Sequence, residues 1–235
     1  MTGTYDDRQE VLAAFARLRV ADVRDAMDWL MMHRTGSMDQ SIRPLWRTRA
    51  VGVARTARYL PFEGTVPSMT PEEYTEWVSW YYREVCPYPW MQEIQDGDFI
   101  VLDAGGVDAG LLGSENSLGG IHRGARGYVT SGGVRDTDEV ILEKIPFWSA
   151  LISQSMDQGR IQYDAMDIPV SVGGVTVHPG DVVVADGDGV IVVPRQAARD
   201  VARIATDVLK RDMAARRRHY EALGMEPDDT LTMDE

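Results

Sequence analysis

Two short segments combine glycines, polar residues and charged side chains in a pattern that suits the binding of a small organic acid. Residues 112–116 read Leu-Gly-Ser-Glu-Asn, and residues 130–136 read Thr-Ser-Gly-Gly-Val-Arg-Asp. Each segment is predicted to be a loop that opens a helix. The first turn of a helix presents unpaired N–H groups and the positive end of the helix dipole, which together attract a carboxylate.

Arg135 and Asp136 stand next to each other at the end of the second segment and offer complementary chemistry. A guanidinium binds a carboxylate through two hydrogen bonds or stabilises charge on an enolate oxygen. A carboxylate is a hard oxygen ligand for Mg²⁺ or Mn²⁺. The pair therefore suits a 2-oxo acid, with a metal at Asp136 chelating the acid and Arg135 holding the enolate that bond cleavage leaves. The structural alternative is that Asp136 caps its helix and Arg135 pairs with a surface acid.

Other catalytic motifs are missing from the sequence or incomplete. It contains no GxxxxGK[ST] phosphate-binding loop and no GxSxG nucleophile motif, and its four histidines are too far apart in sequence to form a ligand pair. Residues 101–106, Val-Leu-Asp-Ala-Gly-Gly, resemble the first strand and glycine turn of a methyltransferase. The glycine expected two places beyond Gly105 is Val107, so a methyltransferase is the weaker alternative.

The composition argues against several classes of protein. The 235 residues carry a formal net charge of −13, from 37 acidic and 24 basic residues, which disfavours nucleic-acid binding. Lys144 and Lys210 are the only lysines, and neither stands in a setting that suggests a Schiff base, so the sequence favours a metal-dependent route over a lysine-dependent one. Cys86 is the only cysteine, which excludes an intrachain disulfide.

The sequence predicts a cytoplasmic protein without a membrane anchor. The first ten residues, MTGTYDDRQE, have neither the basic region nor the apolar region of a signal peptide. No apolar run approaches the roughly 20 residues that a membrane-spanning helix requires.

Hydrophobic periodicity predicts an α/β fold with a mixed sheet, packed helices and a long C-terminal helix. Strands alternate with helices in the middle of the chain, and hairpins crowd its last third, where Gly173-Gly174 suits a two-residue hairpin turn. Asp22 is the expected N-cap of the second helix. The predicted helices are 7–18, 22–32, 114–124, 136–143 and 196–223, and the predicted strands are 49–60, 99–104, 127–131, 181–186 and 189–193, with a hairpin over 168–177.

Residues 61–97 are predicted to be a helical insertion within a single domain of residues 1–225, followed by an acidic, flexible tail over 226–235. Thr70-Pro71-Glu72-Glu73 has the threonine cap, first-turn proline and glutamate of a helix start. An aromatic stripe follows, and it either packs on its own domain or forms a subunit contact or a lid over a site. The stripe consists of Tyr74, Trp77, Val78, Tyr81 and Tyr82.

These motifs, in this order, resemble the RraA-like family. Residues 113–140, GSENSLGGIHRGARGYVTSGGVRDTDEV, and residues 180–194, GDVVVADGDGVIVVP, carry most of the resemblance, which covers about residues 20 to 205. The earlier matches are Ala21-Asp22-Val23 with Asp25-Ala26, and residues 42–45 leading into Val51-Gly52. The family includes 4-hydroxy-4-methyl-2-oxoglutarate aldolases, oxaloacetate decarboxylases and the regulator of ribonuclease activity A.

The resemblance implies an α/β sandwich of the swivelling β/β/α type, assembled as a homotrimer or a hexamer with sites at the subunit interfaces. It also implies a divalent-metal-dependent lyase that cleaves a C–C bond of a 2-oxo acid, by retro-aldol cleavage or by decarboxylation, with Mg²⁺ or Mn²⁺ as cofactor. Asp136 would bind the metal, Arg135 would contact pyruvate, and the backbone amides from Gly113 through Ser114 and Glu115 to Asn116 would hold its carboxylate.

One position departs from the aldolases of the family. They have an acid directly after the loop glycine, where this chain has Ser114, and the next residue, Glu115, is the candidate replacement in proton transfer. Ser114 and Glu115 are therefore both candidate catalytic residues beside Arg135. The alternative function is that of a regulatory protein, whose acidic surface docks on a basic partner or a ribonuclease.

Overall fold

The computed structural model describes residues 8–232, and these residues form a mixed α/β fold. The helices alternate with strands through the middle of the chain and a 26-residue helix follows the last strand. The α-helices are α1 (Arg8–Phe15), α2 (Val20–Trp29), α3 (Pro71–Trp80), α4 (Ser114–His122), α5 (Thr137–Leu142) and α6 (Ala198–Leu223). The strands are β1 (Arg43–Pro44), β2 (Ala50–Pro61), β3 (Asp98–Asp103), β4 (Gly110–Leu112), β5 (Gly127–Val134), β6 (Phe147–Ile152), β7 (Ile161–Met166), β8 (Val170–Val172), β9 (Val175–Val177), β10 (Val182–Asp186) and β11 (Gly189–Val193).

Nine of these strands form one mixed sheet, in the order β1-β6-β5-β3-β2-β10-β11, with β4 paired to β5 and β7 paired to β2. The central neighbours β2, β3, β5 and β6 run parallel, whereas β1, β7, β10 and β11 are antiparallel to their partners. The expected α/β class, with a mixed sheet and a long C-terminal helix, is confirmed.

Alternation along the strands divides the core between opposite faces of the sheet. In β10, Val182 and Val184 pack in the cluster formed with α1, α2 and α6, whereas Val183 and Ala185 pack in the cluster that contains the β8–β9 hairpin. A third cluster joins the insertion to the sheet through Tyr81 and other buried aromatic residues.

The insertion is built largely as its sequence predicts. Thr70 Oγ1 accepts a hydrogen bond from the Glu73 amide, and the Glu73 carboxylate accepts one from the Thr70 amide, so the capping box at the start of α3 is complete. A π-helical turn, Tyr81–Val85, continues α3 and ends before Pro87. Tyr81 is fully buried, and Trp77 and Tyr82 pack against the same core cluster, so this part of the aromatic stripe packs on its own domain, whereas Tyr74 is 39% exposed. Tyr82 also lines the cavity described below.

The structure corrects three local predictions. Asp22 does not cap α2: the helix begins at Val20, and Asp22 in its first turn accepts a hydrogen bond from the Arg19 amide at 2.9 Å. Residues 132–134 belong to β5 rather than to a loop. Four strands, β1, β4, β6 and β7, were not predicted. β1 and β4 are too short to show a period, FWSALI of β6 does not alternate between apolar and polar residues, and the alternation in the first five residues of IQYDAM in β7 was overlooked.

The C-terminal segment contacts the rest of the fold through residue 232. Leu231 is only 2% exposed, and the Arg217 guanidinium on α6 donates to its carbonyl at 2.8 Å. Arg17 donates to the Thr232 carbonyl at 2.9 Å. The predictions for helix 7–18 and tail 226–235 also include residues 7 and 233–235, which lie outside the described residues. Within residues 8–232, no helix is both long enough and apolar enough to cross a membrane.

Candidate active site

The pairing of β4 with β5 brings the two candidate segments together. Leu112 and Val134 are partners in this parallel pair, and the Arg135 amide donates to the Leu112 carbonyl at 3.0 Å. The residues that follow the two strands are Gly113 on one and Arg135 with Asp136 on the other. Because parallel strands end at the same edge of a sheet, the start of α4 lies beside the start of α5.

Gly132 and Gly133 serve this close pairing and do not form a turn. A Cβ atom on Gly133 would lie 2.6 Å from the Ala109 carbonyl oxygen, just before β4, and one on Gly132 would lie 2.7 Å from Ala104 Cβ. A larger residue at 133 would therefore push the start of β4 away from β5, and one at 132 would collide with the residue that follows β3.

Asp136 reaches across to the first turn of α4. Its backbone is left-handed, with φ 53° and ψ 41°, a conformation that aspartate tolerates better than most residues. The side chain makes no capping hydrogen bond to α5; instead, Oδ2 accepts a long hydrogen bond, 3.3 Å, from the Ser114 amide. The Asp136 side chain therefore does not cap its own helix, which was the structural alternative.

Gly113 leaves the space that the Asp136 carboxylate occupies. A Cβ atom at position 113 would lie 2.1 Å from Asp136 Oδ2, far inside van der Waals contact. Gly113 is the N-cap of α4, and it has ordinary extended backbone angles. The glycine is required here by the neighbouring carboxylate and not by its backbone conformation.

Arg135 has its guanidinium at the same edge. Its Nε lies 3.5 Å from the Asp136 carboxylate, which is a loose contact, and the side chain is about one-third exposed, at 32%. Among residues 8–232, its terminal nitrogens have no hydrogen-bond partner. Both nitrogens are therefore available to donate hydrogen bonds to a ligand. The acid that Arg135 contacts is Asp136 itself, its neighbour in the site.

A cavity of about 420 Å³ opens at this edge of the sheet. Gly113, Glu115, Asn116, Arg135 and Asp136 line one side of it. Ser114 is not part of the lining, and its contribution to the site is the amide that contacts Asp136. Of the two candidates for proton transfer, Glu115 lines the cavity and Ser114 does not.

The opposite wall of the cavity contains a buried acid that the sequence analysis missed. Asp157 is 2% exposed, and its Oδ1 accepts a hydrogen bond from the Tyr82 hydroxyl at 2.7 Å. The Tyr88 hydroxyl makes a very short contact to Asp157 Oδ2 and lies 3.0 Å from the Leu111 carbonyl oxygen. Tyr82 and Tyr88 come from the insertion, which therefore supplies the two tyrosines of this wall.

Burial and the neighbouring acid keep both phenols neutral. Burial raises the pKa of Tyr82, and the hydrogen bond to Asp157 raises it further. Burial likewise raises the pKa of Tyr88, with the negative charge of Asp157 as the next cause. No signal in the sequence marks Asp157, because its neighbours in space are about 70 positions away along the chain.

The donor set at the cavity fits a divalent cation held by few protein ligands. The lining has three carboxylates, Glu115, Asp136 and Asp157, against one guanidinium, which leaves a formal charge of −2. Asp136 is 37% exposed and has only long hydrogen bonds, so its oxygens keep lone pairs for a metal. No cluster of three or more metal-ligating side chains occurs within residues 8–232. Mg²⁺ commonly uses one or two carboxylates and completes its shell with water and substrate oxygens, which matches Asp136.

A model of a known protein family matches most of the chain. The family model for RraA-like proteins, described as Aldolase/RraA, matches residues 20–192. The chain belongs to the RraA-like family. The matched region includes β4, α4, β5 and α5, and therefore the whole Gly113–Asp136 side of the cavity.

Curated RraA-like relatives include proteins with enzyme names. The chain is 26% identical to protein DlpA of Legionella pneumophila over 200 residues, which are 83% of this chain and 29% of DlpA. It is 37% identical over 98 residues to a protein of Deinococcus radiodurans named "Putative 4-hydroxy-4-methyl-2-oxoglutarate aldolase", covering 41% of this chain and 61% of the relative. The matched segments thus span less than two thirds of these relatives' own length.

Solved RraA-like structures share the fold over nearly the whole chain. An uncharacterized protein from Pseudomonas syringae superposes with a TM-score of 0.73 at 26% identity, covering 95% of this chain and 98% of that one. RraAS2 of Streptomyces coelicolor, described as an unusual member of the RNase ES inhibitor RraA protein family, has a TM-score of 0.71 at 26% identity and covers 91% and 99%. The family therefore contains members named for an enzyme and members named for inhibition.

Proposed function

We propose that this RraA-like protein is a metal-dependent lyase that cleaves a C–C bond of a 2-oxo acid, releasing pyruvate by retro-aldol cleavage or by decarboxylation. The observation that carries the proposal is the meeting of Asp136, Arg135 and the first turn of α4 in one cavity. A carboxylate with free lone pairs, a guanidinium whose terminal nitrogens are available and a helix N-terminus are the groups that a 2-oxo acid and its divalent cation require.

The chain's own groups would bind and orient the substrate. Glu115 and Asn116, in the first turn of α4, line the cavity, so the amides of this turn would bind the substrate carboxylate and the nine-residue helix would add its dipole. Arg135 would donate to the oxygen on which charge develops as the bond breaks, since a preorganised guanidinium stabilises an enolate more than the neutral ketone.

Asp136 would hold the cation. When bound, Mg²⁺ or Mn²⁺ supplies positive charge beside the carboxylate and keto oxygens of the substrate. Glu115 would move the proton between substrate and solvent, since it is a carboxylate and lines the cavity, whereas Ser114 does neither. The wall of Tyr82, Tyr88 and Asp157 would shield the reacting atoms from bulk water.

The test is an assay for pyruvate. Purified protein with Mg²⁺ or Mn²⁺ is incubated with oxaloacetate and with several 4-hydroxy-2-oxo acids, and pyruvate release is followed with and without a chelator. We expect metal-dependent release from at least one substrate. Asp136→Ala is expected to abolish it, whereas Asp138→Ala, at an exposed position on α5 outside the cavity lining, is expected to leave it unchanged. No release from any substrate, or full activity of Asp136→Ala, would reject the proposal.

A regulatory role is the second candidate, and the net charge of −13 together with the inhibitor name of the Streptomyces relative favours it. An acidic surface docks on basic partners by long-range attraction that salt screens. Salt-sensitive binding to a basic partner that persists in Asp136→Ala, combined with no pyruvate release, would support this role instead of the lyase.

We further propose the trimeric or hexameric assembly that the family resemblance implies. Leu142 on α5 and Ile152 on β6 are 80% and 69% exposed, apolar, and close in sequence to the cavity residues Asp136 and Asp157. Light scattering during size-exclusion chromatography measures the assembly directly.

A further inference from the structure

The charges of the cavity are divided unequally between its two ends. Arg135 is the only cation in the lining, and the proposed 2-oxo acid uses it together with Asp136. Of the other two carboxylates in the lining, Glu115 is on the same side as Arg135, whereas Asp157 belongs to the wall with Tyr82 and Tyr88. A substrate tail that reaches this wall therefore meets a carboxylate, and none of these three wall residues carries a positive charge.

The hydroxyl hydrogens of the far wall are already committed. The Tyr82 hydroxyl donates to Asp157 and accepts from Gln158 Nε2, each at 2.7 Å. The Tyr88 hydroxyl has one hydrogen, which both Asp157 Oδ2 and the Leu111 carbonyl oxygen compete to accept. Neither phenol has a hydrogen left for a second anion, and a buried anion without donors is strongly disfavoured.

The same wall offers apolar surface to an uncharged group. The rings of Tyr82 and Tyr88 lie with centroids 6.4 Å apart, and Leu111 and Met156 complete this part of the lining. Aromatic rings and a flexible thioether accommodate alkyl groups of varied shape. An alkyl or hydroxyalkyl tail would thus pack against these side chains, whereas a carboxylate at the same place would be repelled by Asp157.

We infer that the wall formed by Tyr82, Tyr88 and Asp157 selects 2-oxo acids whose remote end is uncharged and discriminates against dicarboxylates such as oxaloacetate. The inference rests on the proposed lyase function and names its substrate class: 4-hydroxy-2-oxo acids with a neutral tail, which release a simple aldehyde beside pyruvate. Asp157 acts by repulsion and by holding the two tyrosines in place, so it is a positioning and specificity-determining residue.

The test compares two ligands of equal chain length, 2-oxopentanoate and 2-oxoglutarate, which differ at the remote end by a methyl group against a carboxylate. Their affinities are measured by calorimetry in the presence of Mn²⁺, with pyruvate as the reference ligand that has no tail. We expect 2-oxopentanoate to bind at least about tenfold more tightly than 2-oxoglutarate, as like charges near each other at a partly buried site readily produce such a factor.

Two variants distinguish the effect of the Asp157 charge from the effect of the shape of its side chain. Asp157→Asn removes the negative charge with little change in volume and is expected to remove most of the preference by strengthening 2-oxoglutarate binding. Asp138→Asn makes the same change of charge outside the cavity and is expected to keep the preference. Thermal unfolding of each variant establishes that it is folded, and the wild-type comparison tests the inference even where Asp157→Asn does not fold.

The outcomes are distinguishable. If pyruvate binds but 2-oxoglutarate binds as tightly as 2-oxopentanoate, or if Asp157→Asn keeps the full preference, the inference is wrong and the proposed function stands. If pyruvate does not bind with Mn²⁺ present, the proposed function is overturned and the inference falls with it.

Discussion

The Tyr82 hydroxyl donates a hydrogen bond to Asp157 Oδ1 at 2.7 Å, across 75 positions of the chain. This contact joins the insertion before β3 to the segment that follows β6. It gives the cavity a second wall in addition to the Gly113–Asp136 side. The family match over residues 20–192 covers both sides. The two tyrosines of the second wall come from residues 61–97, and its acid comes from the segment between β6 and β7.

Replacing Gly113 tests how closely the Asp136 carboxylate fits against α4. In Gly113→Ala, the new Cβ atom would lie 2.1 Å from Asp136 Oδ2, so the carboxylate must move. We expect Mn²⁺ affinity to fall at least about tenfold, because a displaced ligand loses well over 1 kcal/mol of metal binding. Calorimetric titration with Mn²⁺ measures the affinity, and circular dichroism verifies the fold.

Gly119→Ala is the matched control on the same helix. Its Cβ atom would meet only Arg123 Nη1 at 3.8 Å, an ordinary contact, and alanine favours the helix. This variant is expected to bind Mn²⁺ as the wild type does. Equal affinities for the two alanine variants would contradict the proposed role of Asp136.

Glu115 and Ser114 are expected to differ sharply in their effect on catalysis. Glu115 lines the cavity, whereas Ser114 does not and contacts Asp136 through its backbone amide. Because general acid–base catalysis contributes about 10²–10⁴-fold, Glu115→Gln is expected to lower kcat by at least about a hundredfold with little change in KM. Ser114→Ala keeps the amide and is expected to stay within about twofold of the wild-type kcat. A large loss in Ser114→Ala with a normal Glu115→Gln would reverse the assignment.

The parts of the fold that local sequence determines were predicted well. Gly173 and Gly174 have φ 55° and 74°, as the expected two-residue turn between β8 and β9 requires. Thr70 and Glu73 form the capping box at the predicted helix start. In each case the conformation depends on residues within a few positions of one another, so the sequence pattern alone indicates it.

The parts that long-range contacts determine were not predicted. Gly132 and Gly133 have the composition of a turn, and pairing of this segment with β4 and β6 makes it part of a strand. Asp157 belongs to no motif, and its place in the cavity depends on Tyr82 and Tyr88. The sequence thus indicated the proposed catalytic side of the site but could not indicate the opposite wall.

The thiol of Cys86 is expected to be almost unreactive in the folded protein. Burial raises the pKa of Cys86, the negative charge of Asp157 raises it further, and the side chain is fully buried. A raised pKa lowers the thiolate fraction at pH 8, so reaction with a disulfide reagent is expected to be at least about a hundredfold slower than in the unfolded chain. The absorbance of the released thiol, with and without guanidinium chloride, measures both rates. Equally fast labelling of the two samples would show that the region around Asp157 opens readily.

Leu231 is expected to contribute to stability as a core residue does, although it lies near the C-terminus. It is 2% exposed, and guanidinium groups of Arg17 and Arg217 bind the backbone around it. Leu231→Ala removes buried methyl groups and is expected to lower the free energy of unfolding by about 2–3 kcal/mol. Leu223→Ala, at a position 73% exposed at the end of α6, makes the same chemical change and is expected to stay within about 0.5 kcal/mol of the wild type. Denaturant unfolding measures both values. Equal stabilities of the two variants would mean that residues 226–232 are detached in solution, as the acidic composition of the tail first indicated.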